Sequence, residues 1–271
     1  MAERTEKGPL SVSVGELCFV LDALRMEEEA SALLLAHLGV ADALEAQLVL
    51  AVSGHSLLAR GLAWIGADDC YDIEPLLVRA ARILTESDFM IQCNRSAGEE
   101  MTSVSFHFGL GGLLKHAARD GVVHELELMP DAERAARVVA DFYGATPGTR
   151  PTLPAFRLAQ ASVEEIRDSE DSAFVAERLS RARVPDESAR ALTEDLVGSV
   201  HRGSIVRVDH RPDGTSVAEH RLFMVGGAER LWLLRPDIAP EENSMDFVQG
   251  SHETLRRELL LVIDEPAPKW S

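Results

Sequence analysis

Nine histidines and three cysteines are the side chains here best suited to metal or acid–base work. His107 and His124 fall in runs that predict strands on either side of a long connection, where they could meet across a sheet. His210 and His220 flank a second predicted hairpin. Neither pair has a companion Cys or carboxylate at a metal-ligand spacing, H-E-x-x-H is absent, and His252-Glu253 has no second histidine. The histidines therefore read as strand-face residues, and no metal site is expected. Nucleophiles fare no better. Val52-Ser53-Gly54-His55-Ser56 is the nearest approach to a serine elbow, but it lies in a helical pattern and is not G-x-S-x-G. Cys93 is the best-placed thiol, with no histidine that the sequence assigns to it.

Phosphate chemistry is equally thin. Gly109-Leu-Gly111-Gly112 follows a strand, but Leu114 stands where a dinucleotide fingerprint needs its third glycine, and no Gly-Lys-Ser/Thr occurs. The acidic clusters Glu27-Glu28-Glu29 and Asp168-Ser-Glu170-Asp171 lack calcium-loop spacing and read as solvated helix faces. Leu57-Leu-Ala-Arg-Gly-Leu62 has the look of a helix end in winged-helix regulators. The Trp64–Tyr71 stretch after it does not read as a glycine-bearing wing. The chain is read as a non-enzyme without cofactor.

The elements that would position these residues follow from periodicity. Leu17, Val20, Leu21 and Leu24 mark one face of a first helix. Further helices are predicted over 30–38, ended by Gly39, over 41–60 with Gly61 as the residue after its end, and over 74–86 with Pro75 in the first turn. Strands follow at 88–94, 101–108 and 122–129, then a helix to Tyr143. The Gly/Pro-rich segment Gly144–Pro154 reads as a linker. Beyond it the order recurs: a helix from a capping box Ser162-Val-Glu-Glu165 to about Arg183, another over 187–200, strands at 204–209, 215–225 and 230–234, and a helix capped by Ser251. Two halves, 1–146 and 147–271, each reading helices, three strands, helix, make one pseudo-twofold domain. The expected fold is α+β, a central antiparallel sheet of two αββα-type halves flanked by helices; short turns require antiparallel pairing. The halves differ where the first spends Gly109–Gly121 between its second and third strands. A connection of that length reads as a functional loop.

Composition narrows the setting. Of 271 residues, 45 are acidic and 27 basic, so the formal charge is −18, while 46% hydrophobic residues allow a full core. Such acidity disfavours nucleic acid. Three cysteines without CxxC spacing suit a reducing compartment. The stretch Ala32–Val52 is interrupted by His37, Asp42, Glu45 and Gln47, too polar for a membrane span. Residues 1–10 lack the apolar core of a signal peptide, so a cytoplasmic protein is expected.

The order of elements, with Leu57-Leu-Ala-Arg-Gly-Leu62, Ile73-Glu-Pro75, the strand Phe89–Asn94, Val184-Pro185, Arg202-Gly-Ser-Ile-Val-Arg-Val208, Asp213-Gly214, Arg235-Pro236 and Gly250-Ser251, resembles the EspG-type chaperones of type VII (ESX) secretion. That resemblance implies a quasi-twofold sheet flanked by helical bundles. It also implies a non-enzymatic cytosolic carrier that holds the apolar tip of a helical PE–PPE-like secretion substrate, with no nucleic-acid or membrane partner and a homodimer allowed. The partner would lie against the sheet, the C-terminal helical region and the 109–121 connection. Contact candidates are then Leu110, Leu113, Leu114 and Lys115 in the connection, and Phe223, Met224, Leu231 and Trp232 on the second sheet. The alternative is a ligand-binding regulator with a pocket between the halves.

Overall fold

The computed structural model describes residues 8–66, 70–145, 152–211, 213–236 and 243–265. The first stretch of chain gives β1 (Leu10–Ser13), α1 (Val14–Ala23), α2 (Glu27–Leu33) with a π-helical turn (Leu34–Leu38), α3 (Ala43–Ala59), β2 (Ala63–Ile65), β3 (Tyr71–Ile73) and α4 (Pro75–Thr85). A four-strand meander follows, β4 (Phe89–Ala97), β5 (Glu100–Gly109), β6 (Gly112–Arg119) and β7 (Val123–Met129), closed by α5 (Ala132–Phe142). The pattern then repeats as β8 (Phe156–Ala159), α6 (Gln160–Arg167), α7 (Ser172–Arg181) and α8 (Asp186–Val197). Its meander is β9 (His201–His210), β10 (Ser216–Gly226), β11 (Leu231–Pro236) and β12 (Ser244–Gly250), closed by α9 (His252–Asp264).

Local chemistry sets these boundaries. Ser13 and Glu16 form a reciprocal capping box at α1, with bonds of 2.8 and 3.1 Å. Asp42, Asp131 and Asp171 cap α3, α5 and α7 through side-chain oxygens. Gly39 and Gly61 leave their helices at φ of 67° and 65°, a conformation that glycine reaches without strain. Pro75 stands at the start of α4, where its missing N–H breaks no helical bond.

The sheet is antiparallel and α+β as expected, with ten strands in the order β1-β7-β6-β5-β4-β9-β10-β11-β12-β8. By contacts the chain divides into two compact units, the first made of residues up to Met90 with Val104–Pro130, the second of Ile91–Ser103 and residues from Asp131 onward. The first unit's core packs Leu17, Val20 and Leu21 of α1 with Leu57, Leu77, Ile83, Leu114 and Leu126. The second unit's core joins Leu158, Val163, Ile166, Val175, Leu179 and Leu192 to Trp232, Leu234 and Phe247. In that unit Tyr143 sets its hydroxyl 3.1 Å from the Asn94 carbonyl and 2.8 Å from that of Ser204. Gly203 is required there, since a Cβ would come within 2.5 Å of the Tyr143 ring.

Several sequence expectations are corrected. The 109–121 segment is not a long loop: only Leu110-Gly111 turns, and residues 112–119 form β6, paired with β5 and β7. Each meander has four strands, not the expected three, the additional ones being β6 in the first and β12 in the second, and short β1 and β8 add an edge to each. Residues 162–183 form two helices rather than one, and α6 starts at Gln160 with no side-chain cap, so the Ser162–Glu165 capping box does not form. A hairpin does follow α3: β2 pairs with β3, and Trp64 donates its indole N–H to Asp72 at 3.0 Å. The proposed boundary at 146/147 and most of the Gly144–Pro154 linker lie outside the described residues.

No single described helix is long and apolar enough to cross a membrane. Residues Glu27–Leu38 and Ala43–Ala59 match such a span only as a pair, bent by 94° at their junction.

Candidate protein-binding site

The second unit contains an apolar cavity of about 240 Å³, between α6 and the face of the β9–β12 meander. Val163 and Ile166 of α6 form one wall, and Phe223, Met224, Leu234, Met245 and Phe247 form the other. The elements meet here because α6 is amphipathic: Val163 and Ile166, three residues apart, are its buried positions. The strands carry apolar residues at successive positions in β10, Leu222 through Val225, as a strand covered on both faces does.

The mouth is polar. Arg167 and Arg202 both bind Asp168, at 2.9 and 2.7 Å, so the end of α6 is tied to β9. The Arg167 bond first, and then that of Arg202, hold the Asp168 carboxyl below the usual carboxylate range. The Asp168–Asp171 cluster thus breaks a helix, caps the next one and bridges two arginines. Beneath β11, Asp195 is 4% exposed and accepts the Trp232 indole N–H at 2.8 Å and Arg230 Nε at 2.7 Å. A Cβ on Gly227 would collide with that carboxylate, which makes the Gly226-Gly227 turn specific to glycine.

Of the residues singled out in the sequence, Phe223 and Met224 line the cavity, Phe223 half-buried and Met224 buried. Leu231 and Trp232 are core residues of the same unit, at 5% and 0% exposure. In the first unit Leu110 stands fully exposed on the β5–β6 turn. Leu113 and Leu114 are buried, and Lys115 pairs with Glu127 across the β6–β7 ladder at 3.0 Å. Val163, Ile166, Met245 and Phe247 were not foreseen; the apolar spacing of 163 and 166 was the available signal.

The two strand histidines do approach one another, through a third, His116, on β6. Ser105 Oγ lies 3.1 Å from His107 Nε2, and His116 Nε2 lies 2.8 Å from His124 Nδ1. His37 on the π-helical turn meets the His124 ring edge-on at 5.8 Å. Burial, and then the nearby charges of His124 and His37, push His116 down to about 4. Among the described residues no group of three His, Cys, Asp or Glu is arranged to hold a metal ion.

A family profile described as "Uncharacterised protein YfjC" matches residues 9–257, nearly the whole chain. The chain belongs to the YfjC family. Its fold also matches a solved structure, that of the Mycobacterium tuberculosis type VII secretion system chaperone EspG5 in complex with a PE25-PPE41 dimer. The TM-score is 0.64 and the sequences are 14% identical, over 97% of this chain and 98% of that one. At that identity the likeness establishes an EspG-like fold and leaves activity to be argued from the site. No curated protein is significantly similar to the chain in sequence.

Proposed function

We propose that this chain is a non-enzymatic, cytosolic protein-binding chaperone or adaptor that seats the apolar tip of a helical partner in the α6 cavity. A PE–PPE-like secretion substrate is the partner class that the EspG-like fold suggests. The observation that carries the reading is the cavity itself: walls of Val163, Ile166, Phe223, Met224 and Phe247 under a polar rim of Arg167, Asp168 and Arg202. Its size suits a side-chain occupant. At about 240 Å³ it falls below the roughly 300–1,000 Å³ of sites for cofactors and drug-sized ligands. It exceeds the roughly 150 Å³ that accepts benzene. One or two large apolar side chains from a helix tip fit that interval. Phe223 and Met224 are the proposed cavity contacts, and Leu110 is a separate contact on the first unit.

Co-expression with helical products of adjacent genes, followed by purification and titration calorimetry, tests this. A stoichiometric complex is expected, weakened about 30-fold or more by Phe223→Ala, as for an anchor residue worth about 2 kcal/mol. Leu110→Glu is expected to weaken it less and to leave folding unchanged, since that side chain touches nothing it would lose. Absence of any complex, or a complex indifferent to Phe223→Ala in a protein of unchanged urea midpoint, would overturn the proposal.

A further inference from the structure

Helix α3 (Ala43–Ala59) is apolar on the side it shows to solvent as well as on the side it buries. Its inner face is fixed by small residues. Ser53 and Gly54 are buried, and a Cβ on Gly54 would strike the Phe19 ring of α1, as one on Gly15 would strike Ser53. That close seating turns Leu44, Leu48 and Val52, spaced i, i+4, i+8, outward, at 75, 67 and 61% exposure. Leu35 and Leu38 on the preceding π-helical turn are also exposed. A helix that is apolar all round is normally covered on all sides.

We infer that the Leu44–Leu48–Val52 face of α3 is a self-association surface, covered by α3 of a second copy packed antiparallel about a twofold axis at Leu48. In that register Leu48 meets its own counterpart and Leu44 meets Val52 of the second copy. The exposed Ala51 lets the two helices approach closely. The charges agree. Asp42 and Glu45 stand exposed at the start of α3 and His55 toward its end, so reversing the helix brings each Glu45 within a turn of His55 on the other copy. A parallel pairing would set Glu45 beside Glu45. Apolar side chains on the α2–α3 surface expose roughly 500 Å², near the top of the range for a monomer's largest patch. With the alanines and polar rim this approaches the roughly 800 Å² that one partner gives to a standard interface.

The net charge of −18 repels copies over the rest of the surface. The α3 face holds one carboxylate, Glu45, so contact is least opposed there. Lipid is a poorer occupant. An interfacial helix draws on flanking Lys and Arg to hold anionic headgroups, and this one is flanked by Asp42 and Glu27–Glu29, while Arg60 at its end is held by Glu16.

This inference is independent of the α6 cavity and needs no helical partner. Sedimentation velocity on the full chain, from about 1 to about 100 µM, covers the range in which such an interface dissociates. The wild type is expected to shift from monomer to dimer. Leu48→Glu, which sets two carboxylates on the axis, should stay monomeric with an unchanged urea midpoint. In a Cys70→Ser background, which removes the one exposed thiol, Leu48→Cys should be joined to its own counterpart by a short bis-maleimide. The cross-link decides if the glutamate variant fails to fold. A wild type monomeric throughout overturns the inference, as does a dimer that keeps its affinity in Leu48→Glu and gives no Leu48→Cys cross-link. Monomers that float with phosphatidylglycerol vesicles through this face also overturn it, in favour of lipid.

Discussion

Acid should weaken the first unit through His116, and His116→Gln should remove that sensitivity. The ring sits at the centre of the Ser105–His107–His116–His124 group and titrates at about 4 in the folded chain, against 6.5 for a free histidine. Burial disfavours the imidazolium first, and the charges of His124 and His37 add to it. The folded state thus binds the proton more weakly than the unfolded chain does. This contribution to stability is intact above about pH 6.5, declines as pH falls, and levels off below about pH 4. At about 1.4 kcal/mol per pH unit, the full effect is about 3 kcal/mol, and about 2 kcal/mol of it is reached by pH 5. Urea unfolding of wild type and His116→Gln from pH 8 to pH 5, followed by tryptophan fluorescence, isolates the term as a difference of slopes. The amide keeps a hydrogen-bonding group beside His124, and carboxylates elsewhere titrate alike in both proteins. The wild type should lose about 2 kcal/mol more than the variant between pH 8 and pH 5. Parallel curves, or a His116 ring resonance titrating near pH 6.5, would refute the reasoning.

Asp195→Ala should lower the unfolding free energy by about 3 kcal/mol, read as a shift in urea midpoint, because it strands the buried Trp232 N–H and one side of Arg230. A change below about 1 kcal/mol would mean that water replaces the carboxylate. Thiol titration of the native chain should label Cys70 rapidly and alone: burial pushes Cys18 up to about 11 and Cys93 up to about 12. Rapid labelling of a second cysteine would show that the interior around Cys18 or Cys93 opens readily.

Helices were legible where a cap and a stripe coincide, as with Ser251 before α9 or Asp131 before α5. The strands that escaped notice are those whose own residues argue for something else. In β6 the flanking Gly112 and Gly121 and the helix-favouring Ala117-Ala118 point to a loop, but pairing on both sides, Lys115 with Phe106 and with Glu127, overrides that local preference. β1 and β8 have four residues each, too few for alternation to register. The cavity was legible in part. Phe223 and Met224 could be drawn from their strand, whereas Val163 and Phe247, 84 positions apart, meet only through the packing of α6 on the sheet. Leu114, expected in a loop, and Trp232, expected on a sheet face, are both buried, Leu114 because residues 112–119 form a strand and Trp232 because its strand is packed against the second core.

The outermost strand of each half is also the first to leave the ribosome. Leu10 pairs with Leu126 and Ala159 with Ser244, so each edge waits for more than 80 residues before its partner exists. At about 5–20 residues per second, β1 spends roughly 6–20 s without its ladder. During that time the apolar α1 that follows it has no β7 to cover it, and for more than the first half of it no complete α4 either. Each nascent half thus resembles a helical client with an uncovered apolar face, and translation speed across the two meanders should govern how much of the chain reaches the folded state.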